Sequence, residues 1–101
     1  MIHDESMATH LYHIAQEAVN NAIKHGEASK ILIQLIAGPD RGRLVVKDDG
    51  KGIAEGVADS RGMGLHIMKY RSGMIGGVLE IGRDTTRGTI VTCTFPVKEL
   101  G

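Results

Sequence analysis

Two pairs of short β-rich runs, each pair joined by turn residues and each preceded by a helical segment, constrain this chain more than any other feature. "KILIQLIA" and "GRLVV" flank "GPDRG", and "VLEIG" and "GTIVTCTF" flank "RDTTR". Pro, Asp and Gly between β-branched runs are hairpin punctuation, so each pair reads as antiparallel neighbours. Ahead of the first pair, Leu11, Ile14, Ala15, Ala18, Val19, Ala22 and Ile23 recur at the spacing of one helical face. Ser6 or Thr9 is placed to cap the start of this helix, and Gly26 its end. Ahead of the second pair, Leu65, Met68 and Ser72, flanked by Ile67 and Met74, predict a second helix that Gly76 and Gly77 stop. The order helix, two strands, loop, helix, two strands predicts an α+β fold. Two helices would cover one face of a mixed, mostly antiparallel sheet in a two-layer sandwich. At 101 residues the chain, 1–101, suits a single domain with one core. Its abrupt ends, "MIHDESM" and "KELG", suggest a piece of a longer protein.

Composition removes several function classes. Lys plus Arg and Asp plus Glu both total 12, so no overall basic field exists to hold nucleic acid or an anionic membrane. Aromatics are limited to Tyr12, Tyr70 and Phe95, too few for a base-stacking platform. The single cysteine, Cys93, excludes an internal disulfide and reads as a small buried hydrophobe. No apolar stretch approaches the roughly 20 residues of a membrane span. His3, His10, His13, His25 and His66 lack zinc-ligand spacing, and apart from His25 they read as surface or helix-margin residues.

The end of the second β-rich run carries more than a turn requires. A tight turn needs one Asp-Gly pair, yet "KDDGKGI" holds Asp48, Asp49, Gly50 and Gly52. On the first helix Glu17, Asn21 and His25 are spaced by four, with Lys24 beside them, so they share a polar stripe along the margin of the apolar face. Such a stripe suits a cleft, although an ordinary solvated face has the same pattern. Gly62 and Gly64 lie just ahead of the second helix, where free backbone N–H groups and the helix dipole favour anions. Plain loop chemistry also uses glycine there. "DDGKG" does not suit an EF-hand, which needs a preceding helix and a glycine at the sixth loop position. "GMGLHIMKYR" lacks the third glycine of a dinucleotide fingerprint.

Taken in order, "EAVNNAIKH", "DDGKG", "GMGL" and "RGT" span most of the chain. The series resembles the N box and the three glycine boxes of the GHKL, or Bergerat, ATP-binding superfamily. "HIAQEAVNNAIKHG" is similar to the N box of bacterial two-component histidine kinases of the nitrate-sensor type. The resemblance implies the Bergerat fold, ATP and Mg²⁺ as ligands, and a catalytic domain that phosphorylates a histidine. It implies that Asp48 accepts a hydrogen bond from the adenine amino group and that Gly50 and Gly52 leave space for the purine. Asn21 would hold Mg²⁺ through its amide oxygen, a hard donor for a hard cation. Lys24 and His25 would face the phosphates, Gly62, Gly64 and Leu65 would open the lid end to them, and Thr89 would support the adenine side. Glu17 would orient or deprotonate the phosphate acceptor. Residues 53–61 would form a short lid. Asp49 departs from the family pattern, where Asn is common, and is expected to point away from the base.

The implied partners are a dimerisation domain with the phosphoacceptor histidine and, indirectly, a response regulator. Neither nucleic acid nor direct membrane contact is implied, and the domain would be cytoplasmic. His3 in "IHD" is not that acceptor, because 13 residues before Glu17 cannot form the two long helices of a dimerisation hairpin. Two further readings stay open: an ATP-binding switch module, and a serine kinase of the anti-sigma type with the same boxes.

Overall fold

The computed structural model describes residues 5–51, 62–83 and 88–97. Its elements run α1 (Glu5–Lys24), β1 (Ile31–Ala37), β2 (Arg41–Asp48), α2 (Gly62–Met74), β3 (Val78–Arg83) and β4 (Thr89–Pro96). The expected order of helices and hairpins is therefore observed. The strands form one sheet in the order β1-β2-β4-β3, and every pairing is antiparallel. The mixed sheet expected from the sequence is corrected on this point. β2 and β3 run in the same direction, but β4 lies between them, so they never pair.

The register sets the core. Leu35, Leu44, Cys93 and Leu79 align across the four strands, and Ile33, Val46, Val91 and Ile81 form the adjacent row. From these rows Leu44, Val46, Val91 and Cys93 are buried against Ile14, Ala18 and Met68 of the helices, with Ile75 and Phe95. Ile14, Val46, Met68 and Cys93 are at most 1 % exposed, so truncating any of them removes fully buried carbon. β1 lies outside this protection. Its Leu32, Ile33, Leu35 and Ile36 remain 48–65 % exposed, because it is an edge strand and α1 packs mainly over β2.

Helix ends differ from the sequence expectation in informative ways. α1 runs from Glu5, so Ser6 and Thr9 are helical positions and not the residue ahead of the first turn that the sequence suggests. At its C-terminus, the left-handed residue is Glu27 (φ 53°), one position after Gly26. Gly26 is required for another reason: a Cβ there would sit 2.9 Å from Ala22 O. α2 ends as the sequence predicts. Gly76 is left-handed (φ 71°), Gly77 N donates to Ser72 O at 2.8 Å and Gly76 N to Gly73 O at 3.1 Å. That pair of bonds is the Schellman arrangement of a glycine-terminated helix.

The helices run antiparallel to each other. Near one end Arg71 Nη1 donates to His10 Nδ1 at 3.3 Å, and near the other a Cβ on Gly64 would lie 3.0 Å from Glu17 Oε1. His10 is 8 % exposed, which corrects its reading as a surface residue: it is a buried acceptor between the helices. No described helix is long and apolar enough to cross a membrane.

Candidate functional site

One end of the sandwich collects the polar residues singled out in the sequence. β2 delivers Asp48 there as its last residue, β4 starts there with Thr89, α1 ends there and α2 begins there. Asn21, Asp48, Leu65 and Thr89 line one recess with Ala18, Ala22, Gly26, Met68, Ile81 and Val91. Its lining is mostly apolar with three polar side chains, Asn21, Asp48 and Thr89, the general composition of a small-molecule site. The recess measures about 320 Å³ with its mouth included, but its interior as it stands admits only about one water. A purine can enter only if the walls part.

The two adjacent acids are directed differently. Asp48 is half-buried on the recess, and its Oδ1 accepts from Gly50 N at 2.9 Å. Asp49 is exposed, and its Oδ1 accepts from Ser29 N at 2.8 Å and Lys30 N at 2.9 Å. These two backbone bonds hold its carboxyl below the ordinary carboxylate value. Asp48, the last residue of β2, shares the covered face of Leu44 and Val46, whereas Asp49 lies just past the strand and turns to the loop.

Gly88 and Gly50 are fixed by close approach to backbone, and Gly64 faces two side chains. A Cβ on Gly88 (φ 98°) would overlap the carbonyl oxygen of Asp48, so β4 can lie beside Asp48 only with glycine there. A Cβ on Gly50 would overlap Gly26 O, so the space at Gly50 is taken by the protein's own backbone. A Cβ on Gly64 would press on Glu17 Oε1 and stand 3.4 Å from Asn21 Nδ2. Gly62 and Gly64 lie within the first turn of α2, not ahead of it, and this turn rests over the polar stripe of α1. Lys24 is exposed and His25 half-buried, and neither lines the recess. Gly52 and the expected lid, 53–61, lie outside the described residues.

Residues 7–99 match the sequence profile of the histidine kinase-, DNA gyrase B- and HSP90-like ATPases. The chain belongs to this family. Among curated relatives, this ATPase-family chain is 38 % identical over 93 residues to the nitrate/nitrite sensor protein NarQ of Escherichia coli, covering 91 % of the chain and 16 % of NarQ. It is 36 % identical over 88 residues to the sensor histidine kinase LiaS of Bacillus subtilis, covering 87 % of the chain and 24 % of LiaS. The chain thus spans a quarter or less of these relatives. Its fold matches the ATP-binding domain of PrrB from Mycobacterium tuberculosis with a TM-score of 0.77 at 22 % identity, over 90 % of this chain and 69 % of that one. The histidine kinase domain of a blue-light activated kinase from Erythrobacter litoralis matches with a TM-score of 0.71 at 26 % identity, over 90 % of this chain and 48 % of that one.

Several residues of this ATPase-family recess escape a reading by motif. Ala18 and Ala22 are small residues one turn apart beside Asn21, a spacing visible in the sequence and read there only as helix core. Met68, Ile81 and Val91 join them from three separate elements, and no local signal announces that meeting. For a metal, the donor set near Gly64 is the Asn21 amide and the Glu17 carboxylate, hard oxygen groups that fit Mg²⁺. Among the described residues no group of three His, Cys, Asp or Glu side chains forms a metal cluster. Cys93 takes no part: burial pushes its thiol up, partly offset by its 3.4 Å contact with Ser72 Oγ. It is a core residue, not a nucleophile.

Proposed function

We propose that the recess is a Mg²⁺-ATP site and that the domain is the catalytic part of a sensor histidine kinase. One observation carries this reading: Asp48 and Asn21 open onto the same apolar recess while Asp49 is turned away and engaged elsewhere. Asp48 keeps one carboxylate oxygen beyond the bond to Gly50 N, an acceptor suited to the adenine amino group. Thr89 and the rim backbone flank the base. Asn21 would hold Mg²⁺ through its amide oxygen, and the metal would neutralise charge on the phosphates. The first turn of α2, with Gly62, Gly64 and Leu65, would offer its N–H groups to phosphate oxygens. Lys24 and His25 at the end of α1 add donors on the solvent side.

Glu17 is placed beside Asn21 at this turn, where it can accept the proton of an incoming imidazole. Attack of the imidazole nitrogen on the γ-phosphorus forms an N–P bond as the bond to the bridging oxygen breaks, and ADP leaves with that electron pair. The phosphohistidine would lie on a separate dimerisation domain of the parent kinase, which passes the group to an aspartate of a response regulator.

The test is a titration of the 101-residue chain with Mg²⁺-ATP and Mg²⁺-GTP. ATP should bind and GTP should not, and Asp48→Ala should weaken ATP by roughly 10- to 100-fold. Equal binding of both purines would remove the carboxylate-to-amine contact from the reading. Mixing the chain with a helical hairpin bearing the acceptor histidine and labelled ATP then tests transfer. Label on histidine that persists undiminished in Glu17→Gln and Asn21→Ala would refute their roles.

A further inference from the structure

We propose that Asp49 is a positioning residue for nucleotide binding, setting the separation between the base-reading Asp48 and the metal-holding Asn21. The proposal rests on the reading of the recess as a Mg²⁺-ATP site. Asp48 and Asn21 belong to different elements, the end of β2 and the end of α1, joined in sequence by the loop 25–30 and the β1–β2 hairpin. The loop is tied at both ends. His25 N and Gly26 N donate to Asn21 O at 2.9 and 3.0 Å, and Ala28 N donates to Ala22 O at 2.9 Å. On the strand side, Asp49 Oδ1 accepts from Ser29 N and Lys30 N, Asp49 N donates to Lys30 O at 3.2 Å and Lys51 N donates to Gly26 O at 2.7 Å. An exposed ion pair between Lys51 and Glu27 joins the same two segments.

In these loop-to-strand hydrogen bonds the Asp49 carboxylate is the side-chain acceptor; the others join backbone to backbone. It is also what turns the loop into a clamp, because a single oxygen gathers two successive N–H groups. Those donors follow Glu27, whose left-handed backbone no β-carbon favours and which the surrounding bonds must hold in place. A ligand bound at both ends, base and metal-phosphate, requires Asp48 and Asn21 at one fixed distance. A ligand that uses one end does not.

The clamp needs an acceptor at the right reach, not a negative charge. In the 101-residue chain, Asp49→Ala is therefore expected to weaken Mg²⁺-ATP by roughly tenfold while changing adenosine binding by less than about twofold, measured by calorimetry and by nuclear magnetic resonance. Asp49→Asn keeps the oxygen without the charge and should restore ATP affinity to within about twofold. Asp49→Glu keeps the charge on a longer arm and should resemble Asp49→Ala. Unchanged ATP affinity in Asp49→Ala, or parallel losses of ATP and adenosine, would overturn the proposal. So would an Asp49→Asn variant as weak as Asp49→Ala, since charge and not placement would then be at work. Asp48→Ala is run beside them. If it leaves Mg²⁺-ATP binding intact, the nucleotide reading fails and the clamp with it; if it weakens binding while Asp49→Ala does not, the clamp alone fails.

Discussion

The two walls of the recess are held by different forces. The wall made from the ends of α1 and β2 is stitched by backbone hydrogen bonds and the Asp49 carboxylate. The facing wall, α2, meets the recess through Leu65 and Met68. Its side-chain ties from Arg71 to His10 and from Ser72 to Cys93 lie about two turns away from Gly64. Hydrogen bonds fix direction and distance, whereas apolar packing is non-directional and can be rearranged at lower cost. A recess that admits one water should therefore open by movement of the first turns of α2, leaving the spacing of Asn21 and Asp48 intact.

The contrast can be broken from either side. The largest effect is expected from Gly88→Ala, just ahead of β4 and against the stitched wall, where the added carbon meets the Asp48 carbonyl and the backbone is unsuited to a side chain. A loss of more than about 3 kcal/mol should appear as a lower urea midpoint. Retention of the wild-type midpoint would mean that β4 does not lie so close to Asp48. Met68→Ala attacks the apolar wall and should cost about 2–5 kcal/mol of stability. ATP affinity per folded molecule should hold or rise, because the new space lies where the purine enters. An affinity loss matching the stability loss would show that α2 is as rigid as the opposite wall.

Smaller effects sharpen the picture. The carboxyl of Asp49 is held below its ordinary value of 3.8 by the Lys30 and Ser29 N–H groups. The unfolded chain therefore takes up this proton more readily. The stabilisation is complete above that value and is lost as pH falls below it, through the folded-state value. Urea midpoints of the wild type and Asp49→Asn measured between neutral pH and pH ~2.5 should converge toward the acid end. Lys51→Ala removes an ion pair whose side chains are 61 % and 66 % exposed, and it should change stability by less than about 1 kcal/mol at low salt. A larger change would mean that the pair, and not the backbone bonds, holds the loop.

The local features were legible because their signals are local. Gly76 and Gly77 end α2 by the bonds their sequence suggests, and "GPDRG" makes the β1–β2 turn. Period-two alternation was less informative in β2, where Leu44, Val45 and Val46 are all apolar. The pattern alone could not say whether Asp48 or Asp49 shares the covered face. The helix start was misread for a related reason: Ser6 and Thr9 are good caps, but propensity is a weak prior beside the packing of Met7, His10 and Leu11. β1 is as apolar as β2 in the sequence and yet stands largely exposed, since burial depends on where α1 lies.

The sequence by itself determined the elements, most of their ends and the family, because periodicity, turn residues and ordered motifs act over a few neighbouring positions. Tertiary structure alone decided that β4 inserts between β2 and β3, that Gly88 brings Thr89 against Asp48, and that Asp49 grips the loop after α1. Those contacts join residues as far apart as Arg41 and Pro96, and they form only where the packing of the whole domain outweighs the entropy of closing such loops.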